Sequence, residues 1–370
     1  MPESQRIAAL AATLESDLIR LRRDLHRHPE LAFAESRTAA IIADQMTRIG
    51  AQVRTEVGGT GVLADVQGGQ PGPILLIRAE MDALPVGEAT GLDYESHAPG
   101  IMHACGHDAH VAAALGTAQI LADLRVELGG TVRFCFQPAE ELLAGAQRMI
   151  AEGAMVGVSR VLGAHVHAPA PFGTVLAMSG PVLAGGDFFS LRVRGRGGHG
   201  GMPHRSIDPV YVASQIVIGL QAIVSRETPP GEVLVVAVTS FDGDSAANVV
   251  REEVTLRGNI RWLSESTQRR ALTRIPAVAG SIAAAYGATT HFEVFDGAPV
   301  TTNHPEVLNP VRDAAGATGR TKLVNLPAPI TATDDWAHYL EHAPGAFLLL
   351  ARGVKTPRRT ITRPFPSMSA

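Results

Sequence analysis

Cysteine is nearly absent from this chain, which has two among 370 residues, and aromatic side chains make up only 5% of it. Two cysteines can form one disulfide but not the framework that holds small secreted domains together. The first residues include early acids and lack the basic start and apolar core of a signal peptide. We therefore expect reduced thiols and a cytoplasmic location.

Long apolar runs and clustered positive charge are also missing. No stretch reaches the roughly 20 apolar residues that a membrane span needs. The formal net charge is −4 with both signs interspersed, so we expect neither a nucleic acid nor a membrane surface as a partner. The 45% hydrophobic and 18% charged residues that remain are typical of a globular enzyme, and the length allows two domains.

The segment IMHACGHDAH, residues 101–110, has the most informative spacing in the chain. Cys105 and His107 flank a glycine, at which the backbone can bend sharply enough for thiolate and imidazole to reach one ion. For an isolated Cys-x-His pair, the more common explanation is a buried free cysteine beside surface histidines. Here that explanation is weakened because further candidate ligands follow.

Three predicted strands are followed directly by acids or histidines. They are the apolar run after Pro73 with Glu80 and Asp82, strand 131–136 with Glu140 and Glu141, and strand 161–164 with His165 and His167. Open α/β sheets build their sites at the carboxyl ends of their strands. The repetition predicts one site to which all three strands contribute.

Cys105, His107, Glu141 and His165 form a mixed thiolate, imidazole and carboxylate set that suits zinc or another borderline divalent ion. The number of ligands allows two ions bridged by one group. Glu140, next to Glu141, is then available to act on water. Two alternatives remain open: the paired glutamates are a solvated helix start, or Cys105 is a nucleophile with His107 as its base.

From about residue 181 to 295 the hydrophobic pattern changes to strand, helix, two strands, helix and strand. This βαββαβ order is that of a ferredoxin-like α+β unit. Its second helix contains Pro276, at which we expect a kink or a break. The sequence thus predicts an α/β catalytic, metal-binding domain of residues 1–180 and 296–370 with an inserted domain of residues 181–295.

Several motifs together resemble the metal-dependent amidohydrolases of peptidase family M20, in the branch of hippurate hydrolase and indole-acetyl-amino-acid hydrolase. These motifs are LHRHPEL, RAEMDALP, MHACGHDAH, FQPAEE, GRGGHGGMPH, NVV and a DD pair near the end. They occur in the family's order over about residues 20 to 350. The resemblance implies a mixed-sheet, zinc-peptidase-like catalytic domain whose inserted domain serves as a lid and dimerisation element.

The resemblance also implies roles for the candidate ligands. Cys105 would bridge two metal positions, His107 and His165 would complete one of them, and Glu141 would belong to the other. Glu140 would be the general base. The cofactor would be one or two divalent ions per chain, of zinc, manganese, cobalt or nickel.

Other matched positions would orient or bind the reacting groups. Asp82 would orient His107 or a neighbouring ligand, while Glu80 stands where the family usually has aspartate. In the inserted domain, His199 would stabilise the oxyanion across a dimer interface, and Asn248 and Arg261 would hold the substrate carboxylate. A solvent-facing strand position is the alternative for Arg261.

The expected reaction is hydrolysis of small N-acyl-amino acids, hippurate-like, by a homodimer or homotetramer formed through the inserted domain. A dipeptidase or carboxypeptidase on the same scaffold is the alternative. The family's final metal-binding histidine has no counterpart in residues 352–370, which contain no histidine, and His338 and His342 come too early. We therefore also consider a catalytically impaired member whose second ion is weak or absent.

Overall fold

The computed structural model describes residues 3–167, 171–317 and 321–351. The chain divides into two compact units, the first comprising Met1–Val182, Thr302–Ala328 and Asp335–Ala370, the second Leu183–Thr301 and Pro329–Asp334. Each unit combines helices with its own main sheet. None of the helices in the described ranges is long and apolar enough to cross a membrane.

The helices are numbered in chain order. They are α1 (Glu3–Arg27), α2 (Ser36–Arg48), α3 (His107–Asp123), α4 (Gly145–Ala151), α5 (Pro209–Glu227), α6 (Glu265–Ala285) and α7 (Pro305–Ala317). Local signals start some of them: the Asp208 side chain accepts a hydrogen bond from the backbone N–H of Val210 at 2.9 Å, directly before Pro209 at the first position of α5.

The strands are numbered in the same way. They are β1 (Gln52–Val57), β2 (Gly61–Gln67), β3 (Gln70–Glu80), β4 (Gly129–Gln137), β5 (Val158–His167), β6 (Thr174–Ala177), β7 (Gly180–Leu183), β8 (Gly185–Arg194), β9 (Gly198–His199), β10 (Leu234–Asp242), β11 (Val249–Val250), β12 (Glu253–Trp262), β13 (Thr289–Ala298), β14 (Thr301–Asn303), β15 (Lys322–Asn325) and β16 (Gly345–Ala351). Short 3-10 segments cover Glu140–Leu142, Pro203–Arg205 and Asp335–Glu341.

The main sheet of the first unit has the order β1-β2-β4-β3-β5-β16-β6-β15. Its centre, β4, β3, β5 and β16, is parallel, whereas β1, β2 and the β16–β6 pair are antiparallel to their neighbours. The predicted mixed-sheet α/β fold is confirmed. Because the central strands are parallel, their carboxyl ends meet at one edge of the sheet, where the polar residues follow them.

Helices α1, α2 and α3 pack on β2, β3 and β4 over a continuous apolar core. Representative members are Leu25, Ile42, Met46, Phe134 and Phe136, all fully buried. Helix α3 is buried along most of its length. Its alanine-rich sequence allows close approach to the sheet, and its first residue, His107, is fully buried.

The second unit is an antiparallel sheet of order β10-β12-β8-β13 with α5 and α6 packed on one face. This is the strand order of a ferredoxin-like βαββαβ unit. The expectation for Pro276 needs correction in part, because α6 runs unbroken through it from Glu265 to Ala285. Ile275 and Ala279 beside it are fully buried against the sheet, and this packing offsets the lost backbone hydrogen bond.

Candidate metal centre

The turn before α3 places Cys105 and His107 on either side of Gly106. Gly106 has φ +102°, and a Cβ atom there would lie 2.6 Å from Cγ2 of Val166. Only glycine combines this backbone conformation with so close a contact. Cys105 is half-buried and His107 fully buried, so the turn directs both side chains toward the protein interior at the sheet edge.

Asp82 orients the ring of His107. Nδ1 of His107 donates to the backbone oxygen of Asp82 at 2.9 Å and to its Oδ1 at 3.2 Å. Because this bond uses Nδ1, Nε2 is the nitrogen that the neutral ring would offer to a cation. The other oxygen, Oδ2, accepts the backbone N–H of Glu141 at 2.9 Å, so Asp82 links two predicted metal ligands.

His165 is oriented by its own strand. Its Nδ1 donates to the backbone oxygen of Val166 at 2.8 Å, and its Nε2 lies 3.2 Å from Sγ of Cys105. Both predicted histidine ligands therefore use Nδ1 for a hydrogen bond and turn Nε2 toward the same small region. This is the arrangement in which histidines coordinate metal ions.

The structure brings the four predicted metal ligands together. The ligand atoms of Cys105, His107 and Glu141 all lie within 4.8 Å of one another, and His165 joins this group through its contact with Cys105. Nε2 of His107 lies 4.0 Å from Oε1 of Glu141, is buried, and has no hydrogen-bond partner among the described residues. A buried imidazole nitrogen that faces a thiol and a carboxylate is a donor set that fits a divalent cation.

Glu140 faces the same nitrogen as Glu141. Its Oε2 lies 3.8 Å from Nε2 of His107, and the side chain is almost fully buried. The two acids face one point because they lie in a 3-10 turn that follows Ala139, which has a left-handed φ of +52°. The backbone N–H of Ala139 donates to Oε1 of Glu35 at 3.0 Å.

Burial and fixed charges act in opposite directions on the ionisable groups of the site. Burial disfavours the charged form of Glu80, but Arg78 and His110 hold the pKa of that carboxyl well below its ordinary value. Burial likewise disfavours charged His107, but its bond to Asp82 and the nearby Cys105 raise its pKa well above the ordinary value. Burial raises the pKa of the Cys105 thiol despite the opposing effect of His107.

The other three predicted site residues lie in the second unit. His199 in β9 pairs with Val249 in β11, and the exposed Asn248 is the turn residue directly before β11, close to the exposed His199. Nδ1 of His199 accepts the backbone N–H of Gly201 at 3.0 Å. Their assigned roles stay predictions.

Arg261 in β12 is half-buried rather than fully solvent-facing. Its Nη1 donates to Oγ1 of Thr333 at 2.6 Å, and its guanidinium lies 5.5 Å from the ring centre of Phe188. Burial lowers the pKa of Arg261. A guanidinium held by one nitrogen retains other N–H groups for a carboxylate.

Sequence reasoning missed a buried ionic network behind the site. Nη2 of Arg78 lies 3.0 Å from Oδ1 of Asp335, which also accepts the side-chain amide of Gln137 at 2.8 Å. Oδ2 of Asp335 accepts the backbone N–H of Ala146 at 2.9 Å. The available signal was an arginine inside an apolar strand, because a buried charge needs a partner. Glu35 left no comparable signal.

The prediction that the family's final metal-binding histidine has no counterpart refers to residues 352–370, which lie outside the described residues. His338 and His342, which the sequence placed too early for that role, lie in or just after the 3-10 segment before β16. His338 donates from Nδ1 to Oε2 of Glu341 at 2.9 Å.

A parallel sheet edge that gathers a thiol, imidazoles and adjacent carboxylates defines the class of this protein, a metal-dependent hydrolase. The sequence comparison gives the family. Residues 76–362 match peptidase family M20/M25/M40, and the chain belongs to that family.

Individual relatives agree with this assignment. An N-acetyl-L-cysteine deacetylase of Bacillus subtilis is 40% identical over 336 residues, which cover 91% of this chain and 80% of the relative. Thermostable carboxypeptidase 1 of Saccharolobus solfataricus is 35% identical over 341 residues, 91% of this chain and 86% of the relative. A Bacillus subtilis structure described as a dinuclear metal binding peptidase from the M20 family shares 35% identity and a TM-score of 0.78, with 92% of this chain and 89% of that chain covered.

Proposed function

We propose that the protein hydrolyses the amide bond of N-acyl-amino acids, hippurate-like compounds included, to a carboxylic acid and a free amino acid. One observation carries the proposal. Nε2 of His107 faces Glu141 at 4.0 Å and Glu140 at 3.8 Å, so a metal ligand and a proton acceptor converge on one point. The similarity to an N-acetyl-L-cysteine deacetylase supports an acylated amino acid as the substrate class.

Cys105, His107, Glu141 and His165 would hold the cation, one or two per chain, with zinc, manganese, cobalt and nickel as candidates. A divalent cation at such a site supplies acidified water and a polarised amide carbonyl. Glu140 accepts the proton of the attacking water at its carboxylate and returns it to the leaving amine nitrogen. Burial of Glu140 keeps competing water away from that proton.

The second unit would recognise the rest of the substrate. We propose that His199 stabilises the oxyanion across a dimer interface, and that Asn248 and Arg261 bind the substrate carboxylate. Arg261 suits this role because its guanidinium lies over the ring of Phe188 and bonds to Thr333, and both contacts restrict the orientation of the guanidinium. The assembly would be a homodimer or homotetramer formed through this unit.

Peptide hydrolysis is the second candidate, and the similarity to a carboxypeptidase favours it. The two activities share the site and differ in the group on the acyl side of the amide. A catalytically impaired protein is the third candidate, because residues 352–370 contain no histidine.

The test is hydrolysis of hippurate and N-acetyl-amino acids beside simple dipeptides, with each candidate metal and with chelator. We expect turnover of the acyl-amino acids, loss on chelation, and a drop in kcat of about 10²- to 10⁴-fold for Glu140→Gln because the proton acceptor is removed. Glu152→Gln, at an exposed glutamate of the same unit, should behave like the wild type. Preference for dipeptides would favour the peptidase, and no turnover with any metal would favour the impaired protein.

A further inference from the structure

A chain of hydrogen bonds runs behind His165 to a buried ion pair. Arg78 contacts Oε1 of Glu80, and Oε2 of Glu80 accepts from Nδ1 of His110 at 2.9 Å. Nε2 of His110 accepts the backbone N–H of Val166 at 2.9 Å. The backbone oxygen of Val166 accepts Nδ1–H of His165 at 2.8 Å. The chain ends where Nε2 of His165 meets Cys105.

The direction of each bond is fixed by chemistry. A backbone N–H can only donate, so Nε2 of His110 is the acceptor and its proton is on Nδ1, where the Glu80 carboxylate accepts it. A backbone carbonyl can only accept, so His165 carries a proton on Nδ1, and in the neutral ring Nε2 is then the unprotonated nitrogen. Both tautomers therefore follow from the partners.

Val166 needs these partners because of its place in the sheet. Strand β3 pairs with β5 only as far as Gly163, and the N–H and C=O of one strand residue point to the same side. Beyond Gly163, the side chains of His110 and His165 replace β3 as partners of Val166. His110 is buried, and its ring packs edge-on against His165 at 4.6 Å between centres.

We propose that His110 is a positioning residue that fixes the Val166 backbone and, through it, the orientation and tautomer of the predicted ligand His165. Glu80 and Arg78 anchor His110 from behind. The role in metal binding rests on the proposed function, whereas the tautomer of His165 does not. Although Glu80, His107, His110 and His165 lie close enough to hold an ion together, both ring nitrogens of His110 already have partners, so it is not a ligand.

A merely structural histidine would fill space without affecting His165, and paired variants separate the two roles. His110→Leu removes both hydrogen bonds, whereas His110→Gln keeps an acceptor near the position of Nε2. His338→Leu serves as the control for loss of a buried histidine that bonds to Glu341 and Gln147.

The first measurement is the tautomer of His165 in the metal-free full chain, read from histidine ¹⁵N shifts and assigned with His165→Gln. We expect the Nδ1–H form in the wild type, in His110→Gln and in His338→Leu, and loss of that form in His110→Leu. Circular dichroism confirms that each variant is folded. An unchanged His165 tautomer in a folded His110→Leu variant would overturn the proposal. If His110→Leu does not fold, His110→Gln decides: retention of the Nδ1–H form supports the proposal and its loss overturns it.

The second measurement is cobalt binding, followed by the thiolate charge-transfer and d–d absorption bands. Outer partners of metal-bound histidines contribute about 10- to 100-fold in metal affinity, so we expect a loss of that size in His110→Leu and recovery in His110→Gln. Equal affinity and equal spectra in all variants would contradict the role toward the metal. If the wild type binds no cobalt, the proposed function fails, while the tautomer result still decides the role of His110.

Discussion

Glu35 lies outside the predicted acid pair Glu140 and Glu141 but bonds to the turn that carries it. It is completely buried, its Oε1 accepts the backbone N–H of Ala139 at 3.0 Å, and its Oε2 accepts the hydroxyl of Thr60. Ala139 has a left-handed backbone, which costs a non-glycine residue about 1–2 kcal/mol. Glu35 stabilises that strained residue directly before Glu140.

We expect Glu35→Ala to lower kcat more than it raises KM, because Glu140 loses its fixed position, and to cost about 1–3 kcal/mol of unfolding free energy through the unpaired N–H of Ala139. Glu35→Gln keeps an oxygen for Ala139 and an amide for Thr60, and should retain most activity. Steady-state kinetics and urea unfolding measure both effects. If Glu35→Ala had the kcat of the wild type, the position of Glu140 would not depend on Glu35.

Cys135 makes the stability of the protein sensitive to alkali. Burial raises the pKa of its thiol to about 12, from an ordinary value of 9.0, and Sγ lies 3.4 Å from the hydroxyl of Tyr339. The unfolded thiol loses its proton above pH 9 while the folded thiol keeps it. Unfolding therefore becomes more favourable as pH rises from 9 toward 12.

Cys135→Ser removes this ionisation and retains a hydrogen-bonding group for Tyr339. Relative to the variant, the wild type should lose about 1.6 kcal/mol of unfolding free energy between pH 9 and 10.5, because the slope approaches 1.4 kcal/mol per pH unit only once the unfolded thiol is mostly ionised. Lysine and other tyrosine titrations occur in both proteins and cancel in the difference. Urea unfolding at the two pH values measures this difference in unfolding free energy. An equal loss in both proteins would contradict a raised pKa of the Cys135 thiol.

At the scale of elements, the turn from Cys105 to His107, which leads into α3, depends on Gly106. A side chain there would be strained at φ +102° and would contact Val166. Gly106→Ala should destabilise the first unit by more than 1 kcal/mol and weaken metal binding, because Cys105 and His107 are displaced together. Gly129→Ala, at a position with open space and no positive φ, is the matched control in thermal unfolding and cobalt titration.

The elements also show what the sequence can predict. Apolar runs that end in acids predicted the carboxyl ends of β3 and β4, and the change in hydrophobic pattern predicted the order of strands and helices from β8 to β13. Pro276 did not break α6, because burial of the helix face outweighed a local signal. Glu35 and His110 act on backbone groups 104 and 56 residues away, and no local pattern encodes such pairings. Metal chemistry restricts which residue types are candidate ligands, so candidates can be predicted from sequence. Residues that bond to distant backbone groups have no such restriction.

At the scale of the whole molecule, the two units have separate cores, represented by Phe134 and Phe136 in the first and by Phe189 and Ile260 in the second. We expect two calorimetric transitions in the full chain. A cation that binds the first unit should raise the free energy of unfolding of that unit by about 2.7 kcal/mol when its concentration is 100 times its dissociation constant. The midpoint temperature of only one transition should therefore rise. Chelator should reverse the shift, and equal shifts of both transitions would contradict independent units.

The order of strands in the main sheet has a consequence for the time at which the sheet can be completed. Among the described strands, β6 is joined to the others through β16 and β15, and β16 lies between it and β5. On a ribosome, Thr174–Ala177 emerges long before Gly345–Ala351, with the entire second unit synthesised between them. The early strands can assemble during translation, but β6 has no neighbour to join until nearly the whole chain has been made.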